Sequence, residues 1–418
     1  MHAPLSPPRR QTSRRVLWAA IAVLLLLIAL AIGLRLAHRG SSVTQMVPPK
    51  PVGGPVVQDT PARVDYKRLQ ERIALLMQDR DTVGLAVGAV ERGKVRFLGG
   101  FGETEAGSGD RVTPDTVFRW ASLSKGVAAT LVARLAEQKR LSLEAPLRSM
   151  GTSLTLPGDW SRVTVANLLS HRVGVVRNAW DDRLEAGEDP ALIRSQLGTL
   201  PLYCKPGTCY AYQNIAYDAS SEIVRRVTGG SYADAAHRLL FGPLGMSSAT
   251  IGRQGLETAP SWARPHHPGK HEIHNNDIYY NIPAAGGVNS SIKDLTRWML
   301  AQMGGAPTVL SPAVLEELHR PRVSTPPHGA RGAMDRALTN AHYGLGWRSF
   351  DYAGHHLVGH RGSVDGYGSL ILFDPQDRSG IVMLWNDTRQ TPSRLQLEFF
   401  DMLYGLPPID WLDLKPRK

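Results

Sequence analysis

Apolar and polar positions change their spacing repeatedly along the chain, and each change marks an element. Leu69, Ile73 and Leu76 recur at helical spacing between Val64 and Asp79, which predicts an amphipathic helix. Val83 to Val90 and Lys94 to Gly100 are apolar, β-type runs separated by Glu91-Arg92-Gly93, the pattern of a hairpin. A short apolar-aromatic run through Phe118 and Trp120 then gives way to Val127, Leu131, Val132 and Leu135, a spacing that predicts a buried helix opened by Ser122. From about residue 140 to 330 the segments read as mostly helical, punctuated by Pro and Gly. Strand character returns at Val364 to Pro375 and Ser379 to Asn386, and Pro392 to Tyr404 reads as a closing helix. Strands at both ends around a helical middle predict an α+β domain over 63–418: an antiparallel sheet formed by both ends of the domain, flanked by helices, with a mostly helical insertion.

A different kind of segment precedes that domain. Residues 1–15 carry Arg9, Arg10, Arg14 and Arg15 with no acid, and Val16 to Leu34 is an uncharged run long enough to cross a bilayer as one transmembrane helix. The basic flank is expected to stay in the cytoplasm, which makes 16–34 a single-pass signal anchor in the cell membrane and puts the domain outside the cytoplasm, periplasmic or extracellular. The run exceeds the apolar core of an ordinary signal peptide, and no small-x-small cleavage site stands out after it, so the anchor is preferred to a cleaved leader. Residues 35–62, rich in Pro, Gly, Val and Ser without periodicity, read as a linker.

Composition narrows the partners. The formal charge is +11 over 418 residues, but six of those charges come from Arg9, Arg10, Arg14, Arg15, Arg35 and Arg39, and no basic run is interleaved with aromatics. A nucleic-acid partner is not expected. The only two cysteines, Cys204 and Cys209, flank a Pro-Gly turn, so a small-loop disulfide is expected in an exported protein, with two free thiols as the alternative. His266, His267, His271, Glu272 and His274 crowd a Pro/Gly-containing segment, but their irregular spacing suits an exposed loop better than a metal site.

The chemistry is sought in three motifs. Ser122-x-x-Lys125 places a hydroxyl and an amine one helical turn apart, beside the free N–H groups of a helix start. Tyr212-x-Asn214 offers a phenol that a nearby cation favours as phenolate, and an amide that can fix a substrate carbonyl or the lysine; core packing is the plainer reading of that tyrosine cluster. His360-Arg361-Gly362-Ser363 precedes a strand. There glycine lets a substrate backbone approach, the histidine can hydrogen-bond, and Arg361 can either hold a substrate carboxylate or pair with a surface acid.

Taken in order, these motifs resemble the serine β-lactamase and penicillin-binding-protein superfamily, on the branch of class C β-lactamases, D-alanyl-D-alanine carboxypeptidases and related esterases. The resemblance covers roughly residues 65–405. It extends to Leu168-Leu-Ser-His171-Arg-Val-Gly174, Pro243-Leu-Gly-Met246, Gly286-Gly-Val-Asn-Ser-Ser-Ile-Lys-Asp294-Leu and Tyr343-Gly-Leu-Gly-Trp347, which in such proteins are chiefly structural. It implies Ser122 as the acylated nucleophile, Lys125 and Tyr212 as the proton-transfer pair and Asn214 as a substrate-orienting residue. His360 and Gly362 would lie on the third-motif strand, with the N–H groups of Ser122 and Ser363 forming the oxyanion hole. The implied protein is a serine hydrolase without metal or organic cofactor, acting on a small-molecule, ester or peptide substrate of possible cell-wall origin, and by preference one bearing a carboxylate. A true β-lactamase and a catalytically silent penicillin-binding sensor are the alternatives. Class C enzymes carry lysine where this chain has His360 and often threonine at Arg361, which counts against efficient β-lactam hydrolysis.

Overall fold

A computed structural model describes residues 61–79, 81–326 and 332–414, which all fall in one compact unit. The basic segment, the apolar run 16–34 and nearly all of the linker lie outside the described residues, among which no helix is long and apolar enough to cross a membrane.

The first helix, α1 (Tyr66–Met77), is capped by the Asp65 carboxylate, which accepts from the Arg68 N–H at 3.0 Å, and it buries Leu69, Ile73 and Leu76 as the spacing predicts. The hairpin follows as β1 (Gly84–Glu91) and β2 (Lys94–Gly102), turned by Arg92 and Gly93, both at positive φ, the geometry that matches the strand twist. Next come the short strands β3 (Val117–Arg119), β4 (Thr250–Ile251) and β5 (Val288–Ser291), which form a small sheet in the order β3-β5-β4. His266–His267 pairs with His271–Glu272 in a separate two-stranded ribbon, and the strands of the large sheet beyond the hairpin are β6 (Val323–Ser324), β7 (Thr339–Tyr343), β8 (Arg348–Tyr352), β9 (His355–Val364), β10 (Tyr367–Asp374) and β11 (Ser379–Trp385). With the hairpin they build an eight-stranded antiparallel sheet in the order β2-β1-β11-β10-β9-β8-β7-β6.

The two ends of the domain therefore meet in one sheet, as expected, with Leu85 opposite Trp385 and Val90 opposite Gly380. The pleat divides β1 between two cores. Leu85, Val87 and Ala89 pack under α1 and the closing helix Leu395–Tyr404, while Ala86 and Val90 face the helical layer. That layer is centred on α2 (Ser124–Glu137), where eleven residues from Ser124 to Leu135 are buried, Lys125 among them.

Three expectations change. The sheet is wider than its ends implied, because β7 and β8 were not legible as strands. The run expected at Val364 to Pro375 is cut by a turn at Asp365-Gly366, and Val364 belongs to β9. Ser122 also does not open α2. It lies in a preceding 3₁₀ turn, Ala121–Leu123, and the α-helix begins at Ser124. The chain must pass from β3 into the helix within a few residues, and Ala121 at φ 49° makes that reversal. Ser124 secures it, donating its hydroxyl to the Ala121 carbonyl at 2.7 Å while accepting from the Val288 N–H at 3.0 Å.

Candidate active site

Ser122 and Lys125 meet as their spacing predicts, with Lys125 Nζ 3.2 Å from Ser122 Oγ. Tyr212 joins them, its hydroxyl donating to the same Oγ at 2.8 Å. Lys125 is fully buried, and desolvation lowers its pKa from the ordinary value to about 7, against the opposing pull of Asp181 and Asp218. The amine has two further partners, Asn214 Oδ1 at 2.8 Å and the Ala285 carbonyl at 3.0 Å. The Ala285 carbonyl can only accept. A neutral amine that spends two N–H bonds on those oxygens has its lone pair left for the Ser122 hydroxyl, the arrangement a general base needs. Asp218 holds the Ala285 side of this cradle by accepting from the Ala284 N–H at 2.8 Å.

The phenol reading needs correction. Burial raises the Tyr212 pKa, and that outweighs the Ser122 hydrogen bond and the cation of Arg348. Tyr212 is thus a phenol in this setting, a donor to Ser122, and the lysine is the group that titrates near neutrality. Asn214 does turn to the lysine, one of the two roles open to it. Its other end donates to Asp181 Oδ2 at 2.7 Å.

The third motif arrives on β9, where alternation sorts its residues onto two faces. Gly362 faces the backbone at Ser122: a Cβ there would lie 2.3 Å from the Trp120 carbonyl and 3.0 Å from the Ser122 nitrogen. Only a glycine lets the strand lie this close to the Ser122 backbone. His360 shares that face but is committed elsewhere. The Gln213 N–H donates to His171 Nδ1 at 3.1 Å, so the His171 proton sits on Nε2, which meets the Tyr343 hydroxyl at 3.2 Å. Tyr343 in turn donates to His360 Nε2 at 3.0 Å, and His360 Nδ1 donates to the Arg361 carbonyl at 2.7 Å. Burial, helped by Arg348 and Lys125, holds the His360 pKa at about 3, so the ring is neutral.

Arg361 points the other way. Its guanidinium lies 3.8 Å from Asp335 and 3.5 Å from the Met334 sulfur, apart from the Ser122 network, so of the two readings open to it pairing with an acid is the one the structure shows. Because a one-residue step along a strand changes its face, Arg361 does not line the cavity that holds Ser122; it lines a second cavity of about 850 Å³ that shares Ser363 with it. Ser363, next along, borders a cavity of about 310 Å³ together with Ser122 and Asn214. The charged groups on that wall are two carboxylates, Glu185 and Asp365, both exposed, and Glu185 accepts from the Tyr279 hydroxyl at 2.6 Å.

Sequence reasoning missed the groups that set this site from behind. His171 and Tyr343 stood in motifs read as structural, and Asp181 carried no signal beyond an Asp-Asp pair. Backbone strain marks the same places: Ala121, His171, Asn178 and Trp180 all adopt positive φ without being glycine. Cys204 and Cys209 are joined in a disulfide upstream of Tyr212. Of the histidine-rich segment, His266 is buried and structural. It accepts from the Ala106 N–H at 3.2 Å and lies 3.2 Å from the Asn386 carbonyl.

Comparison with known proteins places this geometry. The sequence pattern of the family described as Beta-lactamase matches residues 69–405. The chain is 27% identical over 325 residues to the unguisins hydrolase ungD' of Aspergillus campestris, covering 73% of this chain and 58% of that protein. It is 26% identical to the unguisins hydrolase ungD of Aspergillus violaceofuscus, covering 79% and 63%, and 24% identical to protein flp of Staphylococcus aureus, covering 72% and 59%. The chain thus spans about three fifths of the length of these relatives. Among solved structures, an octameric penicillin-binding protein homologue from Pyrococcus abyssi superposes with a TM-score of 0.71 at 24% identity, covering 82% of this chain and 78% of that one. A D-stereospecific amidohydrolase from a Streptomyces species superposes at 0.65 with 21% identity, covering 82% of this chain and all of its own. Both share the fold.

Proposed function

The chain belongs to the beta-lactamase family, and from that premise we propose that it is a serine hydrolase working through an acyl-enzyme on Ser122. The observation that carries the proposal is the convergence on Ser122 Oγ of a phenol at 2.8 Å and a buried amine at 3.2 Å whose pKa lies at about 7. The neutral Lys125 amine takes the Ser122 proton as Oγ attacks a substrate carbonyl, and the N–H groups of Ser122 and Ser363 support the developing oxyanion. Tyr212, kept protonated by its surroundings, delivers its proton to the departing oxygen or nitrogen and recovers one from Lys125. Water then enters by the reverse sequence and releases the acid.

The cavity wall supports esters, amides or peptides that are neutral or amine-bearing near the scissile bond. His360 is neutral, and the carboxylates Glu185 and Asp365 border the cavity that holds Ser122, so a substrate carboxylate held against that wall meets repulsion. Efficient hydrolysis of β-lactams, which carry a carboxylate, is disfavoured on the same ground. The relatives named as unguisins hydrolases support a hydrolase rather than a silent binding domain. The basic flank and the apolar run 16–34 support a domain tethered to the outer face of the cell membrane.

A serine-reactive fluorophosphonate probe tests the nucleophile: labelling of wild type and none of Ser122→Ala is expected, and equal labelling of both refutes the proposal. A panel of neutral nitrophenyl esters, aminoacyl amides and a chromogenic cephalosporin tests the substrate class, with the cephalosporin expected to be the poorest. Protease applied to intact cells, expected to cut within 41–62 and release the domain, tests the tether.

A further inference from the structure

The orientation of the Asn214 amide decides whether an acceptor or a donor faces the Lys125 amine. With Oδ1 toward the amine, as here, Asn214 accepts an N–H and leaves the lone pair facing Ser122. Flipped, its NH₂ would point at Lys125 and occupy that lone pair. Nothing in the amide itself prefers either orientation, since its two ends are nearly the same size. The decision comes from Asp181, whose Oδ2 receives Asn214 Nδ2 at 2.7 Å and, as a carboxylate, can only accept.

We propose that Asp181 is a positioning residue that locks the Asn214 amide and thereby keeps Lys125 presented as the base toward Ser122. Two further observations single it out. Its second oxygen, Oδ1, is buried without a hydrogen-bond partner, an arrangement that costs stability and is retained here beside the nucleophile. It also follows directly on Trp180 at φ 60°, with Asn178 at φ 53° two residues earlier, so strained backbone delivers this carboxylate to its place. Its titratable neighbours are Lys125, Asp182, Glu185, Tyr212 and Tyr279. Those around Lys125 are Asp181, Asp218, His171, His360, Tyr212 and Tyr217.

The proposal rests on the acyl-enzyme reading, and the experiment separates the two. Burst kinetics with p-nitrophenyl acetate are measured across pH for wild type, Asp181→Asn, Asn214→Ala and the double variant, each checked for folding by circular dichroism. Wild-type turnover that depends on no acetyl adduct on Ser122, sought by mass spectrometry after acid quench and unchanged in Ser122→Ala, refutes the acyl-enzyme; a wild-type burst or adduct leaves Asp181 as the only question. Asp181→Asn is expected to lower plateau acylation about 10²-fold, the scale of a small misplacement of a reacting group. Its acid limb should also move to lower pH, because a negative charge that raises the Lys125 pKa is gone. In the Asn214→Ala background the further loss in plateau rate should shrink to under about threefold, since Asp181 then has no amide to lock. A wild-type plateau and limb in Asp181→Asn, or an equal loss in both backgrounds with the limb unmoved, overturns the proposal. If Asp181→Asn does not fold, Asp181→Glu serves: a lower plateau with the limb still near pH 7 supports the positioning role, and an undiminished plateau overturns it.

Discussion

Two buried bases, Lys125 and His360, both neighbour the Tyr212 ring, and burial treats them alike at first. Desolvation is the largest influence on both Lys125 and His360 and pushes each downward. They end in different states because of what stands behind them. Lys125 has Asp181 and Asp218 pulling its pKa back up, and it settles at about 7. His360 faces Arg348 and Lys125 itself, with only the Arg361 carbonyl in its favour, and falls to about 3. A buried base becomes a working base only when carboxylates offset its desolvation far enough to bring it near ambient pH; otherwise it is a fixed neutral hydrogen-bonding group.

The contrast is broken most completely by Lys125→Ala. Acylation should drop by several orders of magnitude, as when one member of a coupled catalytic unit is removed, while circular dichroism shows an unchanged fold. Turnover surviving in that variant would place the base elsewhere. The pH profile sharpens the contrast. Only the unprotonated amine is active, so acylation should fall about tenfold per pH unit below about 7, and that limb should persist in His360→Gln, because a ring titrating near 3 has no part in it. A limb that vanishes in His360→Gln would assign it to the histidine. The smallest effect belongs to Arg361→Ala, on the far face of β9, which should change kcat/KM for neutral esters by less than about threefold. A selective loss on carboxylate-bearing substrates would return Arg361 to the site.

What was legible in the sequence follows from how local the information is. Helix α1 and the β1–β2 hairpin were readable because their apolar spacing and turn residues lie within a dozen positions. Ser122-x-x-Lys125 was readable because one helical turn separates them. The strands β7 and β8 were not, since Thr339-Asn-Ala-His-Tyr and Arg348-Ser-Phe-Asp-Tyr mix polar and aromatic residues that gain meaning only once a neighbouring strand lies alongside. The Tyr212 phenolate reading weighed a nearby cation but not desolvation, which depends on the finished packing. The faces of His360 and Arg361 hung on where β9 begins, a boundary that local pattern does not fix. Asp181 reaches Asn214 across 33 residues through strained backbone, and no short motif encodes that.

The pairing of β1 with β11 has a consequence for how the protein comes into being. Leu85 finds its partner only at Trp385, and β9, with the Gly362 that must lie against Ser122, is held in place by β10 and β11. A chain emerging amino terminus first therefore carries Ser122 and Lys125 long before it carries the strands that complete the pocket. One edge of its apolar hairpin stays open until the strand Ser379–Trp385 appears, an interval in which such a chain is exposed to aggregation. The pocket around Ser122 is complete only once β9, β10 and β11 have joined the sheet.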